Sequence, residues 1–349
     1  MPAWAERAAK WVPPTGWTRV VSIDAHTEGE PLRVLLDGFP DLGDGPILER
    51  RRRARAEYDD LRRALMWEPR GHADMYGCLV GPPATAEADI GVLFTHNEGF
   101  STMCGHGIIG VATVLVECGL VGDEAVERGI GIDTPAGFVH AMPRRVGDRV
   151  ERVSFVNVPS FAARLDAWVD VPGVGPVRYD LGYGGAYYAY VAADDFGLAL
   201  ESRETSRLIG LGRAIKEAVQ ASDPPEHPDD PDLGFMYGTI FVGAAHDSDN
   251  HSRNVCVFAD GEVDRCPTGT GVSGRLALHH ARGEVTVGEE ITVESILGTC
   301  FSGRVVEETT VGEVSAVIPE VSGRAWVTGR HEFLIAPDDP LRHGFLLGR

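Results

Sequence analysis

The chain has 349 residues, of which 43% are hydrophobic and 24% are charged, so it is long enough for one large domain or two of ordinary size. Its 52 acidic and 32 basic residues give a formal charge of −20. This composition excludes wholesale disorder, and so negative a surface repels nucleic-acid phosphates and anionic lipids. We therefore expect no nucleic acid and no membrane as partners.

The predicted elements, in chain order, are mostly strands. Runs rich in β-branched and aromatic residues predict strands at 19–23, 32–36, 90–94, 186–191, 239–243 and 254–258. Apolar residues at helical spacing predict helices at 108–118 and 272–282, with Gly119 and Gly283 as C-terminal caps. The Pro- and Asp-rich segment 217–234 predicts a solvated loop. Many strands with few helices predict an α+β fold.

Targeting signals and cysteine pairs are not recognised in the sequence. The N-terminus lacks the apolar run of a signal peptide, and no stretch reaches the roughly 18–20 apolar residues of a membrane span. The cysteines form no CxxC pair, so they predict neither a disulfide framework nor a zinc knuckle. They are Cys78, Cys104, Cys118, Cys256, Cys266 and Cys300. We expect a reduced, cytoplasmic protein.

An internal repeat divides the chain. The segment that begins at Cys104 and the segment that begins at Thr268 carry glycines at the same relative positions: 105, 107, 110 and 119 in the first, and 269, 271, 274 and 283 in the second. The motif Met-Tyr-Gly at 75–77 also recurs at 236–238. The repeat predicts two equivalent halves, 1–174 and 175–324, with 325–349 completing the first.

Each repeat places a Gly-x-Gly turn at the start of a helix. Such a turn presents free backbone N–H groups and the positive end of the helix dipole, so two facing turns would hold a small anion such as a carboxylate. A GxGxxG pattern also occurs in dinucleotide-binding loops, but no βαβ succession follows here. Helix capping alone is the remaining alternative.

Cys104 is the strongest candidate for a nucleophile or base, because a thiol at a helix N-terminus has a lowered pKa. His106 could act as a zinc ligand together with Cys104 and His96, but no ligand set closes around them, and we expect no metal. Residues two apart at a helix start are not expected to face each other as a Cys–His dyad.

Five stretches of the chain resemble the proline racemase family, whose fold is similar to that of diaminopimelate epimerase. They are residues 22–34, 68–77, 96–110, 183–191 and 263–271. The resemblance implies two pseudo-symmetric domains, each a curved mixed sheet around a central helix, with the site between them. It also implies a cofactor-independent enzyme that removes the α-proton of a proline-type imino acid, using two cysteines on opposite faces of the substrate.

The chain departs from this family pattern at one position. The family's second motif is Asp-Arg-Ser-Pro-Cys-Gly, whereas residues 264–269 are Asp-Arg-Cys-Pro-Thr-Gly. The repeat aligns Thr268, and not Cys266, with Cys104. A threonine hydroxyl is too weakly acidic to serve in a thiol/thiolate pair, so two-base racemisation should fail. The Cys–Thr pair is similar to that of family members that dehydrate trans-3-hydroxy-L-proline, and we expect this hydro-lyase activity with Cys104 as the single acid/base.

Other roles follow from the resemblance. The backbone N–H groups expected to hold the carboxylate are those of Gly105, His106, Gly269 and Thr270. Asp264 and His106 would meet the ring nitrogen, although a turn or cap role for Asp264 is equally compatible with the residues alone. Thr268 would meet the substrate hydroxyl, and Tyr76 and Phe258 would form apolar walls around the ring.

Two alternative functions are also compatible with the sequence. One is a proline racemase or 4-hydroxyproline 2-epimerase that recruits Cys266. The other is a non-catalytic imino-acid-binding protein that keeps the fold. In each case the expected partner is a small imino acid, no cofactor is expected, and a homodimer is compatible with the sequence.

Overall fold

A computed structural model describes residues 2–347, and strands dominate it. The α-helices of this part of the chain are α1 (Ala3–Ala9), α2 (Ile47–Glu57), α3 (Asp59–Met66), α4 (Gly105–Glu117), α5 (Asp123–Arg128), α6 (Thr205–Ser222) and α7 (Gly269–Ala281). The first nine strands are β1 (Thr18–Thr27), β2 (Glu30–Asp37), β3 (Tyr76–Gly81), β4 (Ile90–His96), β5 (Ile130–Thr134), β6 (Gly137–Val146), β7 (Arg149–Val156), β8 (Phe161–Val171) and β9 (Gly175–Tyr183). The others are β10 (Tyr187–Ala192), β11 (Met236–Gly243), β12 (Ser252–Phe258), β13 (Glu262–Val263), β14 (Glu290–Glu294), β15 (Cys300–Val311), β16 (Val314–Gly323) and β17 (Ala325–Ile335).

The α+β prediction is confirmed, and the predicted strands correspond to β1, β2, β4, β10, β11 and β12, with the prediction for β10 beginning one residue too early. The two predicted helices are α4 and α7, and each begins three residues earlier than predicted. One prediction was wrong: residues 217–222 of the expected loop continue helix α6. The physical reason is that Val219 is buried on the inner face of α6, and this packing extends the helix to Ser222.

The strands form one continuous sheet in which two groups repeat the same pattern. The first group is ordered β17-β1-β2-β3-β4-β5-β6-β7, and the second β8-β9-β10-β11-β12-β14-β15-β16. The parallel pairs are β2–β3 and β4–β5 in the first group, and β10–β11 and β12–β14 in the second. An antiparallel pairing of β7 with β16 joins the groups. The pairing therefore reproduces the internal repeat strand by strand.

The strand pairing also indicates where the first half of the chain ends. Strand β17 pairs with β1, so the chain returns to the first group after completing the second. Strands β8 and β9 pair with each other, and the hairpin that they form contains the expected boundary at 174/175. We therefore propose that the halves divide before β8, near residue 159, with β17 belonging to the first.

Each group surrounds one buried helix. All residues of α4 from Gly105 to Val116 are buried, as are those of α7 from Gly269 to Leu278. A helix that is apolar on every face is stable only inside a core, and this burial overrides the low helix propensity of its β-branched residues. Both helices end before a glycine with positive φ, Gly119 at 65° and Gly283 at 72°. No helix among residues 2–347 is long and apolar enough to cross a membrane.

Candidate active site

The N-termini of α4 and α7 meet where the two groups of strands join. A Cβ atom added to Gly105 would lie 2.6 Å from the Cα of Gly269, and one added to Gly269 would lie 2.8 Å from the Cα of Gly105. No side chain fits at so short a distance, so glycine is required on both helices. The contact directs the first N–H groups of both helices, which have no partner within their own helix, toward one small space.

This space is a cavity of about 20 Å³, which holds about one water molecule. The structure brings all nine predicted site residues together around it. The lining consists of Tyr76, Met103, Cys104, Gly105, His106, Tyr188, Tyr237, Phe258, Asp264, Thr268, Gly269 and Thr270.

Cys104 is the N-cap of α4, and its sulfur turns back over the first turn of the helix. Its Sγ accepts a hydrogen bond from the Gly107 N–H at 3.2 Å. The expected lowering of the thiol pKa was wrong. Burial raises the pKa of Cys104 well above its usual range, and hydrogen bonds from Gly107 and Tyr76 oppose this only in part. Cys104 is therefore a neutral thiol until a partner takes its proton.

His106 is that partner. Its Nδ1 lies 3.2 Å from Cys104 Sγ, so the expectation that the two side chains would not face each other was also wrong. The N-cap residue has an extended backbone, with φ −150° and ψ 108°, and this geometry points Sγ toward the helix. Burial lowers the pKa of His106 to about 4, so the ring is neutral near pH 7. A hydrogen bond with the backbone of Pro31 holds the ring in place.

Thr268 occupies the matching position before α7, but its contacts differ. It does not cap its helix: its hydroxyl donates to Asp264 Oδ2 at 2.8 Å. Its backbone has φ 67°, a left-handed conformation that is strained for a β-branched residue. Asp264 Oδ1 accepts from the N–H of Cys266, and Cys266 Sγ accepts from the N–H of Thr268. Cys266 is therefore buried behind the Thr268 turn and is not among the residues that line the cavity.

Aromatic rings close the other sides of the cavity. The ring of Tyr76 meets that of His106 edge-on at 4.7 Å and that of Phe258 at 6.1 Å. Tyr237 and Tyr188 also line the cavity, and the Tyr188 hydroxyl lies 2.8 Å from Thr270 Oγ1. Neither of these tyrosines was predicted. The repeat contained the signal for Tyr237, because it pairs Tyr237 with Tyr76.

Two groups of metal-ligating side chains lie near the cavity in the described part of the chain. They are His106 with Asp264 and Cys266, and His96 with Glu98 and Glu262. In the first group each side chain already makes a hydrogen bond within the protein: His106 with Cys104, Asp264 with Thr268, and Cys266 with the Thr268 N–H. We interpret the first group as the hydrogen-bond network that fixes the site.

Two further carboxyl groups lie nearby, of which Glu30 is buried and Glu28 is half-buried. Glu30 is fully buried, and its Oε2 accepts a hydrogen bond from the Arg265 N–H at 2.7 Å across the junction of the halves. Burial, together with the neighbouring Asp264, raises the pKa of Glu30 well above its usual range. Glu28 accepts from the Arg324 N–H. Both glutamates thus connect chain segments.

The family model for proline racemase matches residues 22–346, so the chain belongs to the proline racemase family. Among its relatives is a trans-3-hydroxy-L-proline dehydratase of Colwellia psychrerythraea, 47% identical over 93% of this chain and 92% of that protein. A protein of Burkholderia multivorans named 3-hydroxyproline 2-epimerase is 45% identical over 93% and 97% of the two chains. The crystal structure of a hydroxyproline epimerase from Agrobacterium vitis, with bound trans-4-hydroxy-L-proline, superposes with a TM-score of 0.89 at 32% identity, covering 95% of this chain and 96% of that one.

We predict that Gly105→Ala destabilises the protein by about 1–3 kcal/mol, because the added Cβ forces the two helix N-termini apart. Urea unfolding monitored by circular dichroism measures the change. Gly210→Ala is the matched control: Gly210 also lies within a helix, α6, but an added Cβ meets nothing within 4 Å there. This control should gain up to about 1 kcal/mol. A Gly105→Ala protein as stable as the wild type would show that the two N-termini are not in contact in solution.

Proposed function

We propose that the chain is a cofactor-independent hydro-lyase that converts trans-3-hydroxy-L-proline to Δ1-pyrroline-2-carboxylate. The observation that carries this proposal is the difference between the two helix starts. Cys104 presents a thiol beside a neutral imidazole, whereas the Thr268 hydroxyl donates to Asp264. A site with one thiol can move a proton on one face of the substrate only. The dehydratase relatives support the same activity.

The substrate carboxylate would lie between the starts of α4 and α7. The backbone N–H groups of Gly105, His106, Gly269 and Thr270 would donate to it, and both helix dipoles favour a negative charge there. This arrangement also stabilises the charge that moves onto the carboxylate when the α-carbon loses its proton. The protonated ring nitrogen would face Asp264, whose oxygens are held by the Cys266 N–H and the Thr268 hydroxyl.

The stereochemistry of trans-3-hydroxy-L-proline suits a single acid/base. The hydroxyl and the carboxylate lie on opposite faces of the ring, and the α-hydrogen is also opposite the carboxylate. The hydroxyl and the α-hydrogen therefore share a face, and loss of water is a syn elimination. One residue on that face can remove the proton and return it to the departing hydroxyl. Cys104 would fill this role.

The steps balance without a cofactor. The Cys104 thiol first passes its proton to Nδ1 of His106, 3.2 Å away, and becomes a thiolate. The thiolate takes the α-proton, and the new thiol then gives that proton to the hydroxyl as the C–O bond breaks. Water leaves, and the enamine tautomerises to the cyclic imine. The imidazolium then returns its proton to the thiolate, which restores the neutral pair.

The second candidate is a 2-epimerase, because one relative carries that name. An epimerase needs a second base on the opposite face of the substrate. The only thiol in the Thr268 turn belongs to Cys266, which accepts from the Thr268 N–H behind the cavity wall.

The third candidate is a protein that binds an imino acid without catalysis. It would show saturable binding and no formation of the imine. A homodimer and a cytoplasmic location stay predictions.

We predict that Cys104→Ser lowers dehydration about 10³-fold, because a serine hydroxyl cannot supply a base equivalent to the thiolate. The assay couples imine formation from trans-3-hydroxy-L-proline to a pyrroline-carboxylate reductase. Cys118→Ser, at an exposed cysteine, is the control and should keep full activity. Near-full dehydration by Cys104→Ser would contradict the single-base mechanism, whereas an inactive wild type that still binds the amino acid would support the binding protein.

A second thiol should restore two-face chemistry. We predict that Thr268→Cys gains measurable 2-epimerisation, because residue 268 occupies the position before α7 that Cys104 occupies before α4. Incubating trans-4-hydroxy-L-proline in D2O should then give an inverted product labelled at the α-carbon. Thr268→Ser is the control and should give none. If Thr268→Cys folds and binds the ligand without gaining any label, the two positions are not functionally equivalent.

A further inference from the structure

A cleft of about 760 Å³ lies beside the site cavity, and the proposed reaction makes no use of it. Side chains of residues 51–100 and of residues 216–260 line it, so it lies between the two halves of the chain. Its volume is in the range of small-molecule sites. The cleft is therefore large enough to hold an imino acid.

The cleft and the cavity share one wall. Tyr237 lines both spaces. Next to it, His96 lines the cleft, and its ring lies 5.8 Å from that of Tyr237. The other face of this wall is Tyr76, which lines the cavity, stacks on His96 at 5.7 Å and has its hydroxyl 3.3 Å from that of Tyr237. Movement of the Tyr237 ring would therefore open the cleft to the cavity.

Three cationic side chains line the cleft without an ion pair. Arg51 and Arg55 belong to α2, and Lys216 belongs to α6. Arg51 donates to the carbonyl of Phe100 at 2.8 Å, and Lys216 donates to the carbonyl of Ala259. Within residues 2–347, no carboxylate oxygen lies within 4 Å of a side-chain nitrogen of these three residues.

Most of the acids that line the cleft are already neutralised. Three of the four are each bound by an arginine that does not line it. These pairs are Asp59 with Arg62, Asp232 with Arg52, and Asp260 with Arg213. The fourth acid, Glu98, is exposed to solvent. In a chain with a charge of −20, this distribution leaves the cleft with cations that favour a small anion.

We propose that this cleft is an outer docking site for the imino acid on its route to the cavity, with Tyr237 as the barrier between the two. Arg51, Arg55 and Lys216 would hold the substrate carboxylate before the ring of Tyr237 moves. The inference deepens the proposed function and rests on it for the identity of the ligand. The route can be tested without that ligand, because it ends at the thiol of Cys104.

The test compares two thiol-alkylating reagents of similar size. Iodoacetate carries a carboxylate, whereas iodoacetamide is neutral. Mass spectrometry of the peptide that contains Cys104 gives the alkylation rate for each reagent, and the ratio of the two rates cancels any change in the reactivity of the thiol itself. The cleft variants are Arg55→Gln and Lys216→Gln. Arg53→Gln is the matched control, because Arg53 is exposed on the same helix as Arg55 but does not line the cleft.

We expect Arg55→Gln and Lys216→Gln each to lower the ratio of the iodoacetate rate to the iodoacetamide rate about threefold at low salt, and Arg53→Gln to leave it unchanged. The ring nitrogen of trans-3-hydroxy-L-proline also carries a charge, so its kcat/KM should fall only about twofold, with kcat unchanged. An unchanged ratio in both cleft variants would overturn the docking site.

A second pair of variants tests the route itself. A Cβ atom added to Gly99, which lines the cleft, meets nothing within 4 Å, so Gly99→Trp should fill the cleft without moving the backbone. We expect this variant to slow the alkylation of Cys104 by both reagents about tenfold. Gly210→Trp, at an exposed position of α6 where an added Cβ also meets nothing, is the control and should react at the wild-type rate.

The outcomes separate the route from the proposed function. Wild-type alkylation rates in folded Gly99→Trp would overturn the route and leave the proposed function intact. Slow alkylation of Gly99→Trp, together with a wild type that dehydrates nothing, would support the route and refute the function. If Gly99→Trp does not fold, the rate ratios of Arg55→Gln and Lys216→Gln decide the proposal.

Discussion

The contact between the backbones of Gly105 and Gly269 is the constraint on which the rest of the site depends. It brings two helix N-termini so close that an added Cβ on either glycine would lie under 3 Å from the other Cα. Both helices are buried along most of their length, and each is surrounded by its own group of strands. Two helices, each within its own group of strands, thus contribute their positive ends to one point. In a chain with a charge of −20, this local arrangement, and not the overall field, must hold a carboxylate.

The two helix starts share their glycine positions, but they differ in chemistry and in the backbone conformation of the residue before the helix. At Cys104 the side chain caps the helix and contacts His106, whereas at Thr268 it turns away to Asp264 and the backbone takes a positive φ. The strain at Thr268 persists because Asp264 and Cys266 hold the turn from both sides. A symmetric fold therefore provides an asymmetric site, and the proposed reaction on a single face of the substrate rests on that asymmetry.

The sequence alone predicted those features of the site that follow from the alignment of the two repeats. Glycine spacing identified Thr268 as the counterpart of Cys104 and set Cys266 aside, because a repeat fixes positions along the chain. The sequence did not predict the contact between Cys104 and His106, because spacing rules describe residues within a helix. Cys104 precedes the helix and has an extended conformation. The sequence also missed Tyr188, whose place depends on β10 lying beside β11 and facing α7, a long-range arrangement that no local pattern encodes.

Burial sets the resting state of the two groups that the proposed reaction uses. In the cavity, burial raises the pKa of Cys104 and lowers that of His106, so both groups are neutral at rest. The ion pair that the proposed reaction needs is costly there unless hydrogen bonds hold the thiolate. The Gly107 N–H of α4 is one such donor. A bound substrate would exclude water from the cavity, and in such surroundings a thiolate is a strong base.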